Sequence, residues 1–540
     1  MIARKSMLII LTNGVNAVIG LVGLSLLAKF WGNFAPTALG VVAFAMSFLG
    51  MFAFISDLGF SGAHVKRISE GKDLGKCIGT YATVKVVLVT AMVTIVVGGI
   101  FIWKVLLHRG FYDATTESVI YVTLLYCILQ SFTNISMGTF NGRKETAKMQ
   151  VPMVSETLFR VSLMILVASA GVAGISIIAP ELGYDKIQPF VWPSFLRGMQ
   201  DFIASHAVGS LASTYVLGMF AMLILSLFFF RRYPISRPSK EYFKSYFVFA
   251  LPTMLISTIA VISTNIDRVM IGYFWRAEDV GFYFSAQKIA FFVLVISSSV
   301  GALLFPTISS YHAKNQLSDI RKTVNLALRY ISMTACPSVV FIIVFRKPVI
   351  DIILSSAFYP AAPVLIVLLV YILIISLTSP LIYIVTGMNR PGLAAKAGFI
   401  VCAINIVLNT LFIPKNGVLS IFGINGPTGA AVATVISGFV GLVIYVFLSK
   451  RLVKIKISKK PLIHMSAACV MGGLLYYINT LTAFVRWYHL IFFGIIGLAA
   501  YIGILYLLKE FTKKDFDFFL DTIHPKEMAK YVKSELKRKD

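Results

Sequence analysis

The chain is a succession of apolar runs of about 20 to 25 residues separated by short loops that hold nearly all of its charge. At ~1.5 Å of rise per residue, such a run crosses the ~30 Å hydrocarbon layer as a helix. A helix satisfies its own backbone hydrogen bonds, and lipid demands this of any segment it surrounds. With 58% hydrophobic and 13% charged residues among 540, no soluble fold has enough polar surface to face water. The expected fold class is therefore an all-α polytopic membrane protein with about fourteen transmembrane helices.

Taken as one crossing per run, the helices fall near 7–30, 38–62, 78–103, 117–140, 151–178, 207–230, 246–274, 281–306, 326–347, 361–385, 392–414, 427–449, 462–481 and 488–508. The first run follows Arg4 and Lys5 with the polarity of a signal peptide, but its spanning length and the want of a small-residue cleavage site make it a retained helix. The expected organisation is an N-terminal six-helix lobe over 1–240, a second six-helix lobe over 241–455, two further helices over 456–508 and a basic tail over 509–540.

The formal charge of +26 is dispersed among the loops, which indicates membrane orientation rather than nucleic-acid binding. With an even number of crossings both termini share a side, and that side carries 35 Lys and Arg against 10 on the other. The positive-inside rule makes the rich side cytoplasmic, so a multi-pass protein of the cell membrane with both termini inside is expected. The longest external connection, 180–207, contains Trp192, Pro193 and Phe195 and reads either as a segment lying on the outer leaflet or as an ordinary aromatic-rimmed loop. The tail, with Phe516, Phe518 and Phe519 among its lysines, reads either as a helix on an anionic inner leaflet or as a solvated basic segment.

Two stretches suggest an internal repeat. Gly142-Arg143-Lys144 and Gly387-Met388-Asn389 each end an apolar run with similar chemistry, and Phe30-Trp31 before Gly40 has a counterpart in Phe274-Trp275 before Gly281. The separations, 102 residues from Gly40 to Gly142 and 106 from Gly281 to Gly387, point to two halves in the same orientation with a cleft between them.

Seven charged residues fall at membrane depth: Asp57, Lys85, Glu156, Arg160, Asp267, Arg268 and Lys288. A charge at the centre of a lipid-facing helix costs on the order of 2.5 to 3.5 kcal/mol, so such residues face a bundle interior or a wet space. Glu156 and Arg160, four apart, share a helix face and are placed to pair. Asp267 and Arg268 are adjacent, point about 100° apart and serve different neighbours. Lys85 and Lys288 have stems long enough to snorkel to the interface, and Asp57 reads as a local cap or pair. Taken together, Arg160, Arg268, Lys288 and Lys85 against Asp57, Glu156 and Asp267 leave a net positive interior suited to an anionic head group such as phosphate or pyrophosphate.

Cofactors are not indicated. The five cysteines, Cys77, Cys127, Cys336, Cys402 and Cys469, lie far apart and form neither a disulfide framework nor a metal site. There is no P-loop, His-Glu-x-x-His or nucleophile-elbow pattern, so no catalytic centre is expected and energy for transport comes from a gradient or from consumption of the cargo.

The stretch Val280-Gly281-Phe282-Tyr283-Phe284-Ser285-Ala286-Gln287-Lys288, with Leu304-Phe305-Pro306 after it and Asn265-Ile266-Asp267-Arg268 before it, resembles the corresponding helix of polysaccharide flippases. The run from Asn405 through Asn409 to Pro414, followed by Gly426 and by Gly429-Ala430-Ala431-Val432-Ala433-Thr434, resembles a second signature of that group. Together they identify the Wzx-like polysaccharide transporter branch of the multidrug/oligosaccharidyl-lipid/polysaccharide superfamily. The resemblance implies alternating access by two six-helix lobes and flipping of a polyprenyl-linked oligosaccharide to the outer leaflet, with membrane lipids and glycan polymerase or glycosyltransferase machinery as partners. A cation-coupled multidrug exporter of the same superfamily is the alternative, kept open by the three intramembrane carboxylates. A membrane scaffold or lipid-processing enzyme is the second, for which the external carboxylates Asp113, Glu117, Glu181, Asp185 and Asp201 offer no organised site.

Overall fold

A computed structural model describes residues 2–111, 113–173, 186–187, 190–456, 458–481 and 487–512. The helices are α1 (Ile2–Trp31), α2 (Ala35–Phe52), α3 (Phe60–Ser69), α4 (Leu74–Phe101), α5 (Ala114–Gly142), α6 (Thr146–Ala170), α7 (Arg197–Ser205), α8 (Ala207–Phe230), α9 (Lys240–Phe274), α10 (Ala277–Ala313), α11 (Leu317–Val344), α12 (Arg346–Ile353), α13 (Ala362–Gly387), α14 (Pro391–Phe412), α15 (Gly426–Val453), α16 (Lys460–Leu481) and α17 (Trp487–Leu507). The strands among the described residues are two-residue pieces, Val172–Ala173 paired antiparallel with Lys186–Ile187. The tail aromatics Phe516, Phe518 and Phe519 and the loop carboxylates Glu181 and Asp185 lie outside the described residues.

Among the described residues eleven segments are long and apolar enough to cross a bilayer, and the protein is a multi-pass membrane protein. That number differs from the expected fourteen in part because the segment Leu11–Phe52 merges the first two hydropathy runs across a 3-10 turn at Gly32–Phe34. Two further helices, α9 of 35 and α10 of 37 residues, are longer than a single perpendicular crossing requires.

Helix ends follow local chemistry. Asp73 and Asp113 cap α4 and α5 by accepting from the backbone N–H of Lys76 and Thr116, at 2.7 and 2.6 Å. Proline in the first turn opens α2, α13, α14 and α15, where a missing N–H costs nothing. The two hairpins read as a repeat close in the same way. After Gly142, the N–H groups of Arg143, Lys144 and Glu145 return to the carbonyls of Thr139, Asn141 and Phe140, with Lys144 at φ 61. After Gly387, those of Met388, Asn389 and Arg390 return to Ile384, Thr386 and Val385, with Asn389 at φ 58. An added Cβ on Gly142 meets the Ile68 side chain, and one on Gly387 meets that of Ile308.

Contacts divide the chain into two compact units, Val18–Phe284, and Met1–Ala17 with Ser285–Asp540. In the first, α5 and α6 pack on α8, and α9 packs on α2 and α3. Its buried clusters gather Phe60, Ala63, Tyr81, Val84, Tyr246 and Ala250 in one place and Ile78, Phe140, Phe230 and Tyr233 in another. In the second unit, α13 packs on α15 and α11 on α16, around a core that includes Ile308, Val324, Ile384 and Tyr445.

Within the first unit, Gly40 of α2 and Gly281 of α10 stand face to face. A Cβ on Gly40 collides with the Ala277 carbonyl, and one on Gly281 with the Pro36 carbonyl. Small residues at such a crossing let two backbones approach without a side chain between them. Gly40→Ala and Gly281→Ala are each expected to lower the unfolding temperature in detergent, because overpacking of this kind costs about 1 to 3 kcal/mol. Gly98→Ala, where nothing lies within 4 Å of the added carbon, leaves it unchanged or raised.

Candidate functional site

Between α2 and α3 the chain unwinds through Ala53–Gly59, with Leu58 at φ 42 and Gly59 at φ 80. Unwinding frees carbonyls, and each one that is buried needs a partner. Lys85 of α4 supplies one: its Nζ donates to the Ser56 carbonyl at 2.8 Å and pairs with Asp57 Oδ1 at 2.8 Å. The expectation that Lys85 snorkels to the headgroups is therefore corrected, since its side chain is fully buried and the ammonium is used within the bundle.

The same bundle holds a polar network that sequence reasoning missed. His64 of α3 is fully buried, with Nδ1 3.0 Å from Tyr246 Oη and Nε2 2.9 Å from Thr139 Oγ1. The Thr139 hydroxyl also donates to the Ile135 carbonyl, and the Tyr246 hydroxyl also reaches the Cys77 carbonyl at 3.3 Å, so both partners of the ring are held by the backbone as well. The imidazole stacks on Tyr81 at 4.3 Å, and the Lys85 ammonium lies 5.6 Å from that same ring. Burial, reinforced by the positive charge of Lys85, lowers the pKa of His64 from 6.5 to about 3. Tyr81 and Lys85, four apart, were the one sequence signal that this face of α4 is polar.

Glu156 and Arg160 pair as expected, Nε to Oε1 at 2.6 Å, and Arg160 also stacks over the Tyr215 ring at 4.9 Å. Gly218 of α8 makes room for the pair, since a Cβ there meets Arg160 Cβ at 2.8 Å. Both side chains are mostly buried between α6 and α8, which gives the pair a packing role.

Asp267 is buried on α9 and accepts from the Tyr283 hydroxyl at 2.7 Å. Arg268 turns elsewhere, as adjacent helical residues must. Its Nη2 donates to the Thr264 carbonyl at 3.0 Å and lies 3.4 Å from Asn265 Oδ1, while its Nε is buried with no hydrogen-bond partner. Among the described residues it makes no ion pair with a carboxylate. Asn265 is wedged against α2, where only Gly50 leaves space for it. Lys288 is exposed on α10, in the other compact unit. Thus the structure joins Lys85 to Asp57 and Arg160 to Glu156, and among the described residues the Arg268 guanidinium has no salt-bridge partner.

A second cluster escaped the sequence because one member lies past the last helix. Glu510 accepts from Arg329 Nε of α11 at 2.6 Å and pairs with Lys460 Nζ of α16 at 3.1 Å. His464 Nε2 stands 3.8 Å from Glu510, and its Nδ1 is 2.7 Å from Ser332 Oγ. Burial raises the pKa of Glu510, but the hydrogen bonds from Arg329 and Lys460 outweigh this and hold it below the usual carboxylate value. Among the described residues no group of His, Cys, Asp and Glu is arranged to hold a metal ion.

Lys85→Met strands both the Ser56 carbonyl and the Asp57 carboxylate, and is expected to destabilise by about 1 to 3 kcal/mol, read as thermal unfolding in detergent. Adding Asp57→Asn recovers the carboxylate's share but not the carbonyl's, so the double variant melts between Lys85→Met and the parent.

The His64 pKa gives a pH dependence of definite sign. The folded ring resists protonation down to about 3 while the unfolded chain takes up a proton near 6.5, so in that window the unfolded state binds more protons and stability falls with falling pH. The unfolding temperature is expected to drop between about pH 7 and pH 5, and His64→Asn flattens that drop.

Comparison with known proteins adds a relationship. Two family models, both described as polysaccharide biosynthesis protein, match residues 2–182 and 199–363. The probable low-salt glycan biosynthesis flippase Agl15 of Haloferax volcanii is 24% identical over 500 residues, 92% of this chain and 94% of that protein. The lipid II flippase MurJ in an inward closed conformation superposes with a TM-score of 0.69 at 17% identity, over 92% of this chain and 98% of that one. An inward-facing MATE-family multidrug resistance transporter superposes at 0.54 with 17% identity, over 84% and 99%.

Proposed function

We propose that this chain is a polysaccharide-type transporter of the multidrug/oligosaccharidyl-lipid/polysaccharide superfamily rather than an enzyme, and that it flips a polyprenyl-(pyro)phosphate-linked oligosaccharide from the cytoplasmic to the outer leaflet. In this reading two six-helix lobes, 1–240 and 241–455, alternate in access, and both termini lie in the cytoplasm of a cell-membrane protein. The observation that carries it is Arg268. A guanidinium inside a spanning helix is costly, and its retention without a carboxylate partner makes sense when a phosphate of the cargo completes it.

The name of Agl15 as a glycan biosynthesis flippase supports the same cargo class. A cation-coupled multidrug exporter is the second reading, favoured by the MATE likeness and by Asp267 on α9. It fits less well, because Asp57 and Glu156 are already neutralised by Lys85 and Arg160.

The test is depletion of the protein with leaflet-specific glycan labelling. A lipid-linked oligosaccharide is expected to accumulate on the cytoplasmic leaflet, and re-expression of the parent chain reverses it. Arg268→Ala inserts normally but slows transport by about tenfold or more, the loss of a charge-assisted hydrogen bond of about 1.5 to 3 kcal/mol. Arg268→Lys restores part of the rate. Normal outer-leaflet glycan with new sensitivity to cationic drugs transfers the assignment to the exporter reading.

A further inference from the structure

We propose that α7 and the 3-10 turn before it (Ser194–Leu196), in the connection between α6 and α8, lie in the headgroup boundary of the leaflet where those two helices end, with three of their side chains inserted among the acyl chains.

The helix has three different sides. Gln200 and Ala204, buried, face the protein. Gln200 Nε2 donates to the Phe190 carbonyl at 2.6 Å and to the Ala170 carbonyl at 3.4 Å, and its Oε1 accepts from Trp192 N–H at 3.1 Å. That one side chain fastens the helix and its approach to the last residue of α6. Met199 and Phe202, three apart on α7, fall within about 60° of one another and are 45% and 64% exposed, and Phe195, on the 3-10 turn that leads into the helix, is 82% exposed. Arg197, Asp201 and Ser205 occupy the remaining arc and are exposed as well. A helix in water has no reason to hold two phenylalanines and a methionine outward beside a polar arc, whereas a helix in the interfacial plane needs a protein side, a lipid side and a water side.

Depth points to the same occupant. Ala170 ends one segment long enough to span, and Ala207, two residues past the end of α7, begins the next. The adjoining helices present Leu158, Phe159 and Leu166 on α6 and Leu217, Phe220 and Ile224 on α8 as exposed apolar surface. The connection that holds α7 thus joins two spanning segments with exposed apolar side chains, and Phe190 and Val191, both exposed, add apolar surface before the helix starts. The assignment is independent of the cargo.

Spin labels at single cysteines test it in phosphatidylcholine–phosphatidylglycerol vesicles. Cys469, the exposed thiol among the described residues, is replaced by Ser, while Cys77, Cys127, Cys336 and Cys402 are buried. Labels at Phe195→Cys, Met199→Cys and Phe202→Cys are expected to collide severalfold more with oxygen than with a water-soluble nickel chelate. Labels at Arg197→Cys, Asp201→Cys and Ser205→Cys show the opposite order in the same preparations, which certifies the fold. Nickel accessibility at all six positions overturns the proposal in favour of a solvated loop. Exclusion of both reagents from the apolar three, with dipolar broadening between labels, overturns it in favour of a second copy of the chain.

Discussion

The interaction on which the rest of this protein depends is the neutralisation of charge inside a medium that has no water to offer. Lys85 is the clearest instance. Its ammonium closes two deficits at once, the Asp57 carboxylate and the Ser56 carbonyl released where α2 gives way to α3. The break in the helix and the buried lysine require each other: without the break the lysine lacks an acceptor, and without the lysine the freed carbonyl faces an apolar interior. His64, hydrogen-bonded to Tyr246 and Thr139 and stacked on Tyr81, then lies beside the charged pair, and the low pKa of the imidazole keeps a further positive charge away from Lys85.

Close backbone approach is the second device, and it follows from the first constraint. Lipid gives two helices no hydrophobic reason to associate, so contact area and small residues must supply the attraction. The crossing of α2 and α10 at Gly40 and Gly281, the seat of Asn265 against Gly50, and the space at Gly218 for the Glu156–Arg160 pair are all places where a missing Cβ admits a backbone or a polar side chain. These glycines position polar groups as much as they pack helices.

Much of the architecture was legible in the sequence because the apolar run and the spanning helix are set by the same thickness. The intramembrane charges were legible too, since a lysine in an apolar run stands out, and the i to i+4 pairing of Glu156 with Arg160 is fixed by helix geometry. The partner of Lys85 was not legible. Asp57 is 28 positions away, on a segment whose unwinding depends on the lysine itself, so snorkelling was the natural reading of a lone cation with a long stem. Glu510 was hidden for a similar reason: it follows α17 by three residues, and its partners Arg329 and Lys460 sit on helices that are brought together only by the fold. The hairpins after Gly142 and Gly387 were recognised as alike in chemistry, and their backbone bonds coincide residue for residue.

The distribution of paired and unpaired charge bears on what such a scaffold carries. Counting formal charges along the sequence gives four cations against three carboxylates and leaves the sign of the interior dependent on side chains that merely pass near it. Pairing removes Lys85 with Asp57 and Arg160 with Glu156, while Asp267 is occupied by a tyrosine hydroxyl rather than by its neighbour Arg268. A transporter of cationic drugs needs carboxylates held ready, and two of the three here are committed to structural bonds. The guanidinium of Arg268, anchored through a backbone carbonyl and without a salt-bridge partner among the described residues, is the feature on which the proposed binding of a phosphate diester or pyrophosphate rests. Its five donors in a fixed fork also favour a multi-oxygen anion over a halide or a carboxylic drug, because only the former uses the fork's full geometry.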